Sequence, residues 1–284
     1  MGGARNVTKL SAIRRTRSLA IHAAAFPLAL IWLTPLWMMA VFSTLPENQI
    51  LTPDIHLVPG WQFGENLAAL QAATNFSNAM LISVVVALTY TAASVALTSM
   101  AGWALVSYTF VGKGLVVAII IGTLTLPYFV IVIPQFIMVA RDFHLSNSWF
   151  ALIVPPLFNS IGVLFMRQTF SMLPGELFDA ARVEGVKEWR IFAFVALPLA
   201  RPALAALAII LFLASWNNYL WPLLINSRPD MTTAPVALGS LIGSTKTSWG
   251  SIMTGATLLT APMIGVFILL QRHFIAGIAA GALK

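Results

Sequence analysis

The sequence predicts an all-α polytopic membrane protein, and three observations support that fold class. Of its 284 residues, 59% are hydrophobic and only 9% are charged, whereas about a quarter of the residues of a soluble domain carry charge. The mean hydropathy is +0.87. Six apolar runs are each long enough to cross a hydrocarbon core, which takes about 17–25 helical residues. A soluble globular protein is therefore excluded, and six transmembrane helices are predicted.

The first three spans are bounded by basic and turn-forming residues. Span 1 covers residues 19–42 and follows a basic segment, residues 1–18, that we expect to be cytoplasmic. The run is longer than the roughly 7–15 apolar residues of a signal peptide, so it is predicted to be retained. Span 2 covers residues 78–107 and follows a polar, proline-containing stretch. A short turn with two glycines then leads to span 3, residues 115–140.

Charged residues also delimit the second half of the transmembrane domain, which extends as a whole over residues 19–274. Arg141 and Asp142 precede span 4, and Arg272 follows span 6. A long loop joins spans 4 and 5, and a short cytoplasmic tail ends the chain. Spans 4, 5 and 6, the loop and the tail are predicted at residues 149–166, 203–225, 252–270, 167–201 and 275–284.

The lysines and arginines predict the orientation in the membrane. With both termini cytoplasmic, thirteen of the sixteen bases lie in cytoplasmic segments, and only Arg141, Arg228 and Lys246 lie outside. Such an excess is typical of the cytoplasmic side of membrane proteins. The formal net charge of +7 therefore reports orientation, and no nucleic-acid partner is predicted.

Eight prolines fall inside the predicted spans. Proline is tolerated in membrane helices where neighbouring groups satisfy the freed carbonyls, so most of these positions are expected to be kinks. A lined cavity is the alternative near Pro127 and Pro134 and near Pro155 and Pro156.

The loop of residues 167–201 is much longer than a turn between neighbouring helices requires. It holds four of the nine acidic residues, together with apolar side chains that include Leu177, Phe178 and Trp189. Pro174 suits a first helical position, and acids near it favour the positive end of a helix dipole. Two roles are compatible with this pattern: a docking element for another protein, or a short helix lying on the bilayer surface.

This loop also carries a motif that resembles the signature of ABC importer permeases. The motif reads Glu-Ala-Ala-x3-Gly-x9-Ile-x-Leu-Pro, and the chain matches its spacing from Asp179 through Gly185 to Pro198, with Asp in place of Glu and Val in place of Ile. The run Trp216-Asn217-Asn218-Tyr219-Leu220-Trp221-Pro222-Leu223 and the C-terminal tail resemble the carbohydrate-uptake branch of that family. The similarity extends over essentially the entire chain.

The resemblance implies a type I ABC importer permease fold with a cytoplasmic coupling helix between spans 4 and 5. It implies an acid at Asp179 facing a groove on an ATPase, small residues that permit close approach, and a turn at Gly185. The coupling residues expected within residues 174–190 are Glu176, Asp179, Ala180, Ala181, Glu184 and Gly185.

Catalytic chemistry is absent from the sequence. No Gly-x4-Gly-Lys-Ser/Thr phosphate loop occurs, so ATP and Mg are expected on partner ATPase subunits and no cofactor is expected in this chain. The four histidines lie in different segments, and cysteine is absent. No metal site and no enzymatic activity are predicted.

Neutral polar side chains inside the spans are candidates for a solute path. Amides, hydroxyls and aromatic faces suit sugar recognition, although hydrogen bonding between helices explains them equally well. The candidates are Tyr128, Asn159, Trp216, Asn217, Asn218 and Tyr219, with Gln135 and Ser160 as further polar groups.

These features predict a subunit of an ATP-driven, binding-protein-dependent importer in the bacterial inner membrane. The resemblance implies a second homologous permease, two ATP-binding cassette subunits and an extracytoplasmic solute-binding protein as partners. A carbohydrate is the expected solute, and glycerol-3-phosphate or a glycerophosphodiester is the alternative. A secondary transporter would require coupling charges or internal repeats, which the sequence lacks.

Overall fold

The computed structural model describes residues 3–242 and 248–282, with the side chains of residues 21–242 and 248–269. Over these residues every regular element is helical and no strand occurs, which confirms the all-α prediction. By its contacts the chain divides into two compact units, residues 1–70 with 246–258 and residues 71–245 with 259–284.

The helices range in length from three residues, at Leu197–Leu199, to 40 residues, at Gly3–Phe42. Their bounds are α1 Gly3–Phe42, α2 Glu47–Ile50, α3 Phe63–Thr74, α4 Phe76–Ser107, α5 Lys113–Thr125, α6 Tyr128–Phe136, α7 Trp149–Ile153, α8 Ser160–Ser171, α9 Gly175–Val183, α10 Glu188–Ile191, α11 Leu197–Leu199, α12 Arg201–Trp216, α13 Leu220–Ile225, α14 Ala234–Gly239 and α15 Trp249–Ala282. Pro155–Leu157 and Pro229–Met231 form 3₁₀ turns, and Ile137–Asp142 and Phe192–Ala196 are π-helical.

Three stretches are single helices long and apolar enough to cross a membrane: Ile21–Phe42, Phe76–Ser107 and Trp249–Leu269. Three further stretches meet the same test only as bent helix pairs. These are Lys113–Thr125 with Tyr128–Asp142, bent by 99°, Trp149–Leu157 with Ser160–Ser171, bent by 48°, and Glu188–Leu199 with Arg201–Trp216, bent by 81°. The described residues thus supply three spans, or six if each bent pair counts as one.

Proline explains where two predicted spans are interrupted. Leu126 is extended, with φ −81° and ψ 122°, because a residue that precedes proline, here Pro127, is disfavoured in the helical region. Predicted span 5 breaks between α12 and α13. The ring of Pro222 would collide with the carbonyl four residues earlier, that of Asn218, if the helix continued.

The segments on either side of predicted span 5 both contain helices. The loop given as residues 167–201 begins inside α8, which continues to Ser171, and its second half is helical from Glu188 onward. The predicted outer segment after span 5 contains α14. This helix packs against α4, and its Ala234 amide donates to Ser83 Oγ at 2.8 Å.

Close packing of α4 on α8 forms the centre of the larger unit. A Cβ added at Gly102 of α4 would lie 2.7 Å from the Arg167 amide nitrogen of α8, and a Cβ added at Gly162 would lie 2.9 Å from Thr98 Cγ2. Membrane helices are not driven together by the hydrophobic effect, and small residues let their backbones approach. The two glycines therefore set this helix pair at its short separation.

In the smaller unit, polar contacts hold the start of α15. The Glu47 carboxylate accepts from the Trp249 amide at 2.9 Å and the Gly250 amide at 3.2 Å. Asn66 donates to the Ser43 and Leu45 carbonyls, both at 3.0 Å. A carboxylate on the free amides of a helix N-terminus is a favourable arrangement.

Candidate coupling surface and solute cavity

The predicted coupling helix is α9, and one aromatic residue anchors it to the membrane helices. Phe178 is 5% exposed and meets the Trp103 ring of α4 edge-on, with ring centroids 4.9 Å apart. Phe170 at the end of α8 also meets Trp103 edge-on, at 5.5 Å. Aromatic pairs in this geometry stabilise a contact beyond the area that they bury. One side of α9 therefore packs on the Trp103 ring of α4, which Phe170 of α8 also contacts.

The opposite side of α9 carries the charged residues to the surface. Glu176, Asp179 and Ala180 are exposed, and Ala181 is half-buried against the apolar cluster that contains Phe178 and Trp103. Of the two alanines in the motif, one thus faces outward and the other packs inward.

Arg182 links α9 to α10, because its guanidinium group binds one carboxylate on each helix. Its Nη1 donates to Asp179 Oδ1 at 2.8 Å, and its Nε donates to Glu188 Oε1 at 2.7 Å. These contacts, with the Glu188 hydrogen bond as the largest cause, raise the pKa of Arg182 above its ordinary value. The Asp179 side chain is still 73% exposed. It can therefore engage a partner while it is tied to α10 through Arg182.

Gly185 ends α9 in a left-handed turn. Its φ is +76°, its amide donates to the Arg182 carbonyl at 2.9 Å, and the next amide, that of Val186, donates to the Ala181 carbonyl at 3.0 Å. These two bonds define a Schellman motif, whose left-handed position favours glycine. Val186 and Ala181 both pack on the same apolar cluster, as the residues flanking such a turn usually do.

A second candidate site is a cavity of about 570 Å³ in the larger unit. It opens where helices break: beside the Leu126–Pro127 bend, at the prolines between α7 and α8, and at the gap between α12 and α13. Among the described residues, the side chains with polar atoms that line it are Ser83, Tyr90, Thr123, Tyr128, Gln135, Asn159, Ser160, Ser215, Trp216, Asn218, Trp221 and Thr233. None of the lining residues is a lysine, arginine, histidine, aspartate or glutamate.

Several of these polar groups already have partners within the protein. Asn159 Oδ1 caps α8 by accepting from the Gly162 amide at 2.7 Å. Thr123 Oγ1 and Ser160 Oγ share a hydrogen bond of 2.6 Å. The Trp216 ring NH donates to the Leu259 carbonyl at 3.1 Å, and its side chain is 1% exposed. For these side chains helix capping and packing account for the residue type.

Comparison with known proteins identifies the chain. The family model described as binding-protein-dependent transport system inner membrane component matches residues 94–279. The chain belongs to this family. It is a permease subunit of an ABC importer, a non-catalytic component of the bacterial inner membrane.

Three similar proteins carry transport names. The permease is 33% identical to the arabinooligosaccharides transport system permease protein AraQ of Halalkalibacterium halodurans, over 90% of this chain and 93% of that one. It is 31% identical to the lactose transport system permease protein LacG of Rhizobium radiobacter, over 92% and 91%. It is 32% identical to the sn-glycerol-3-phosphate transport system permease protein UgpE of Yersinia pestis, over 93% and 97%.

A solved structure shares the fold. It is the crystal structure of a bacterial ABC transporter involved in the import of the acidic polysaccharide alginate. The TM-score is 0.79 with 19% identity, over 92% of this permease and 97% of that chain. The likeness supports the type I ABC permease fold that the sequence motif implied.

The structure brings together four of the six solute-path residues predicted from the sequence. Tyr128, Asn159, Trp216 and Asn218 line the cavity, whereas Asn217 and Tyr219 do not. The Asn217 amide group donates to the Leu213 carbonyl at 2.9 Å. The Tyr219 ring lies against Gly239, where an added Cβ would approach Tyr219 Cε2 at 2.6 Å.

Sequence reasoning did not include Ser83 or Thr233 among the site residues of the permease. Thr233 fell in a segment predicted to lie outside the membrane, and Ser83 was one of several small polar residues in span 2. Both line the cavity because α14 folds back onto α4. The signal in the sequence was the run Thr232-Thr233-Ala234-Pro235, which marks a helix start.

In the described part of the permease no three histidine, aspartate or glutamate side chains gather as metal ligands. Lys246 and Lys284 lie outside the described residues, as do the side chains of Arg272 and of the C-terminal tail.

Proposed function

We propose that this permease imports a neutral carbohydrate. The observation that carries the proposal is the cavity lining, which offers hydroxyls, amides and aromatic rings and no charged side chain among its residues. Neutral polar groups pair with sugar hydroxyls, and aromatic faces cover the apolar side of a sugar ring. The arabinooligosaccharide and lactose names of two relatives agree with a sugar.

Glycerol-3-phosphate is the second candidate, because relatives at 32% identity are named for it. A phosphate is recognised best by arginine or lysine, and the lining of this half of the path holds neither. The companion permease or the binding protein would have to supply that charge. Competition between the sugar and glycerol-3-phosphate for uptake therefore distinguishes the two candidate solutes.

The proposed assembly contains a second homologous permease, two ATP-binding cassette subunits that bind ATP and Mg, and an extracytoplasmic solute-binding protein. The exposed side of α9 supports docking to an ATPase, since Glu176, Asp179, Ala180, Glu184 and Gly185 are all accessible there. Ala181 supports this surface indirectly, because it packs on the apolar cluster and so holds α9 in place. Movement of the ATPases would reach the spans through α9 and its contact with Trp103.

Uptake into proteoliposomes tests the proposed solute. The complete complex should hydrolyse ATP faster with its binding protein and an arabino-oligosaccharide or lactose, and should accumulate the labelled sugar. Excess glycerol-3-phosphate should not compete. Uptake of glycerol-3-phosphate without uptake of either sugar would reverse the assignment, and uptake by this chain without ATPases would exclude an ABC importer role.

The proposed orientation places both termini in the cytoplasm and makes the turn between α4 and α5 cytoplasmic. The chain contains no cysteine, so single cysteines are unique labels. In intact cells, Asp54→Cys should react with a membrane-impermeant maleimide, and Lys113→Cys should react only after permeabilisation. The opposite pattern would invert the topology.

A further inference from the structure

The stretch that follows the α9 turn runs across the axis of a membrane helix. Glu188–Leu199, here called the α10–α11 segment, is bent by 81° from α12. It advances the chain by only about 3 Å along the α12 axis, because a helix rises about 1.5 Å per residue. Membrane helices tilt by about 20° on average from the bilayer normal. Since α12 is the helix of predicted span 5, the α10–α11 segment lies close to the membrane plane.

One side of the α10–α11 segment is fixed on the protein. Ile191 and Ala196 are fully buried, and both belong to the apolar cluster that contains Trp103 of α4. At the other end, Glu188 accepts from Arg182 of α9 at 2.7 Å. The folded protein therefore determines which side of the segment faces outward.

The outward side carries two aromatic rings that a regular helix would not bring together. Trp189 is 58% exposed and Phe194 is 70% exposed, and their ring centroids are 6.2 Å apart. In a regular α-helix, residues five apart point about 140° away from each other. The π-helical turn has a wider winding, in which the Leu197 amide donates to the Phe192 carbonyl five residues earlier. Such turns are rare and frequently occur at functional sites.

Positive charge accompanies the exposed rings. The Arg190 guanidinium lies over the Trp189 ring, 5.3 Å from its centroid. Within the described residues Lys187 and Arg190 form no ion pair, whereas the acid of the segment, Glu188, is paired with Arg182. Tryptophan is enriched at membrane–water interfaces, and basic residues beside an apolar helix face bind anionic lipids. The outward side of the α10–α11 segment has both features.

We propose that the outward side of the α10–α11 segment lies in the interfacial layer of the bilayer. Trp189 and Phe194 insert between lipid headgroups, and Lys187 and Arg190 bind the phosphates of anionic phospholipids. The bilayer is the occupant because the surface is continuous with a membrane helix: the exposed Leu199 ends the segment, and α12 begins two residues later.

The two roles that the sequence leaves open for the loop of residues 167–201 then belong to different elements. The exposed side of α9 is available to an ATPase, and the α10–α11 segment rests on the membrane. Arg182 binds a carboxylate on each of them. The bilayer surface thereby becomes a fixed support for the orientation of α9. This inference is independent of which solute is imported.

Spin-label accessibility in the complete complex tests the location. Because the chain contains no cysteine, Phe194→Cys provides a single label in this subunit when the partner subunits are cysteine-free. In nanodiscs that contain phosphatidylglycerol, this label should collide mainly with oxygen, which concentrates in lipid, and little with a water-soluble nickel complex. Val183→Cys is the matched control, since Val183 is an equally exposed apolar residue at the end of α9 and should show no preference for oxygen.

Replacing Arg190 tests the contact with lipid phosphate. In the labelled Phe194→Cys background, Arg190→Gln should raise the phosphatidylglycerol fraction needed for half of the oxygen preference by about fivefold, the effect of one basic residue at an anionic surface. Arg190→Lys keeps the charge and should stay within about twofold.

Three results would overturn the inference. A Phe194→Cys label that collides mainly with the nickel complex would place the segment in water, and a label shielded from both agents would place it against another protein. An Arg190→Gln variant with unchanged dependence on phosphatidylglycerol would refute the headgroup contact. Leu199→Cys, also at an exposed position of the segment, carries the same test if Phe194→Cys fails to assemble.

Discussion

Replacing Gly185 by alanine isolates the contribution of one backbone conformation to coupling. Gly185 has φ +76°, and a Cβ added there would meet nothing within 4 Å. The substitution therefore introduces no steric clash. Its cost is the strain of a side chain in the left-handed region, about 1–2 kcal/mol. That strain corresponds to a factor of about 5–30 in the population of the native turn.

Because the turn positions the exposed acids of α9 relative to α10, we expect solute-stimulated ATP hydrolysis of the assembled complex to fall by about fivefold in Gly185→Ala. Gly185→Asn should retain more activity, since asparagine adopts the left-handed conformation more readily. Gly185→Asp adds a third charge beside Asp179 and Glu184 and should abolish stimulation while the complex still inserts in the membrane.

Gly112 supplies the matched control for this series. It has φ +85°, and a Cβ there also meets nothing within 4 Å, but it lies in the turn between α4 and α5. Gly112→Ala introduces the same backbone strain at a position outside the coupling surface, so stimulation of ATP hydrolysis should be nearly unchanged. An equal loss in Gly112→Ala, or full activity in Gly185→Ala, would refute the assignment of the α9 turn to coupling.

Two further predictions concern packing. Gly102→Leu should prevent accumulation of folded permease, because the new Cβ would lie 2.7 Å from the α8 backbone. The yield of folded permease is measured as the fraction that migrates as folded protein in detergent. Gly122→Leu, with open space around its Cβ, is the control, and equal yields of the two variants would contradict the close-packed interface. Phe178→Ala should destabilise α9 by about 3–5 kcal/mol, lowering the melting temperature of the complex, because it removes the edge-on contact with Trp103. Leu177→Ala alters an exposed side chain on the same helix and should change stability by less than about 0.5 kcal/mol; comparable shifts in both variants would count against the anchor.

The turn that ends α9 was predictable from sequence because the glycine of the motif meets a local requirement. Gly185 is the left-handed residue of a Schellman turn, and the half-buried Ala181 supplies the carbonyl that accepts from the Val186 amide. The need for glycine acts within a few residues of the chain, so the sequence indicated the turn at Gly185. It did not indicate that Ala181 packs inward, because that depends on contacts with α4. The pairing of Asp179 with Arg182 and Glu188 was less apparent, because charge pattern does not show which acid an arginine selects.

The cavity was only partly predictable because it depends on where helices break. Polar residues within apolar runs pointed to Tyr128, Asn159 and Asn218. The break before α13, which Pro222 causes, turns Asn217 and Tyr219 away from the lining. Thr233 lines the cavity because the neighbouring Ala234 contacts Ser83, which is far away in the sequence. The pattern of residues within its own segment does not indicate such a contact.

The glycine contacts between α4 and α8 restrict how this permease can change shape. At Gly102 and Gly162 no side chain fits between the two helices, and sliding one helix along the other would bring larger side chains into these contacts, so we expect α4 and α8 to move together. A rotation of the pair would then be taken up elsewhere, by residues whose φ and ψ can change. The breaks at Leu126 and at residues 217–219 are such positions, and both border the cavity. The same interruptions that create the space for a solute are thus positions where the backbone can bend.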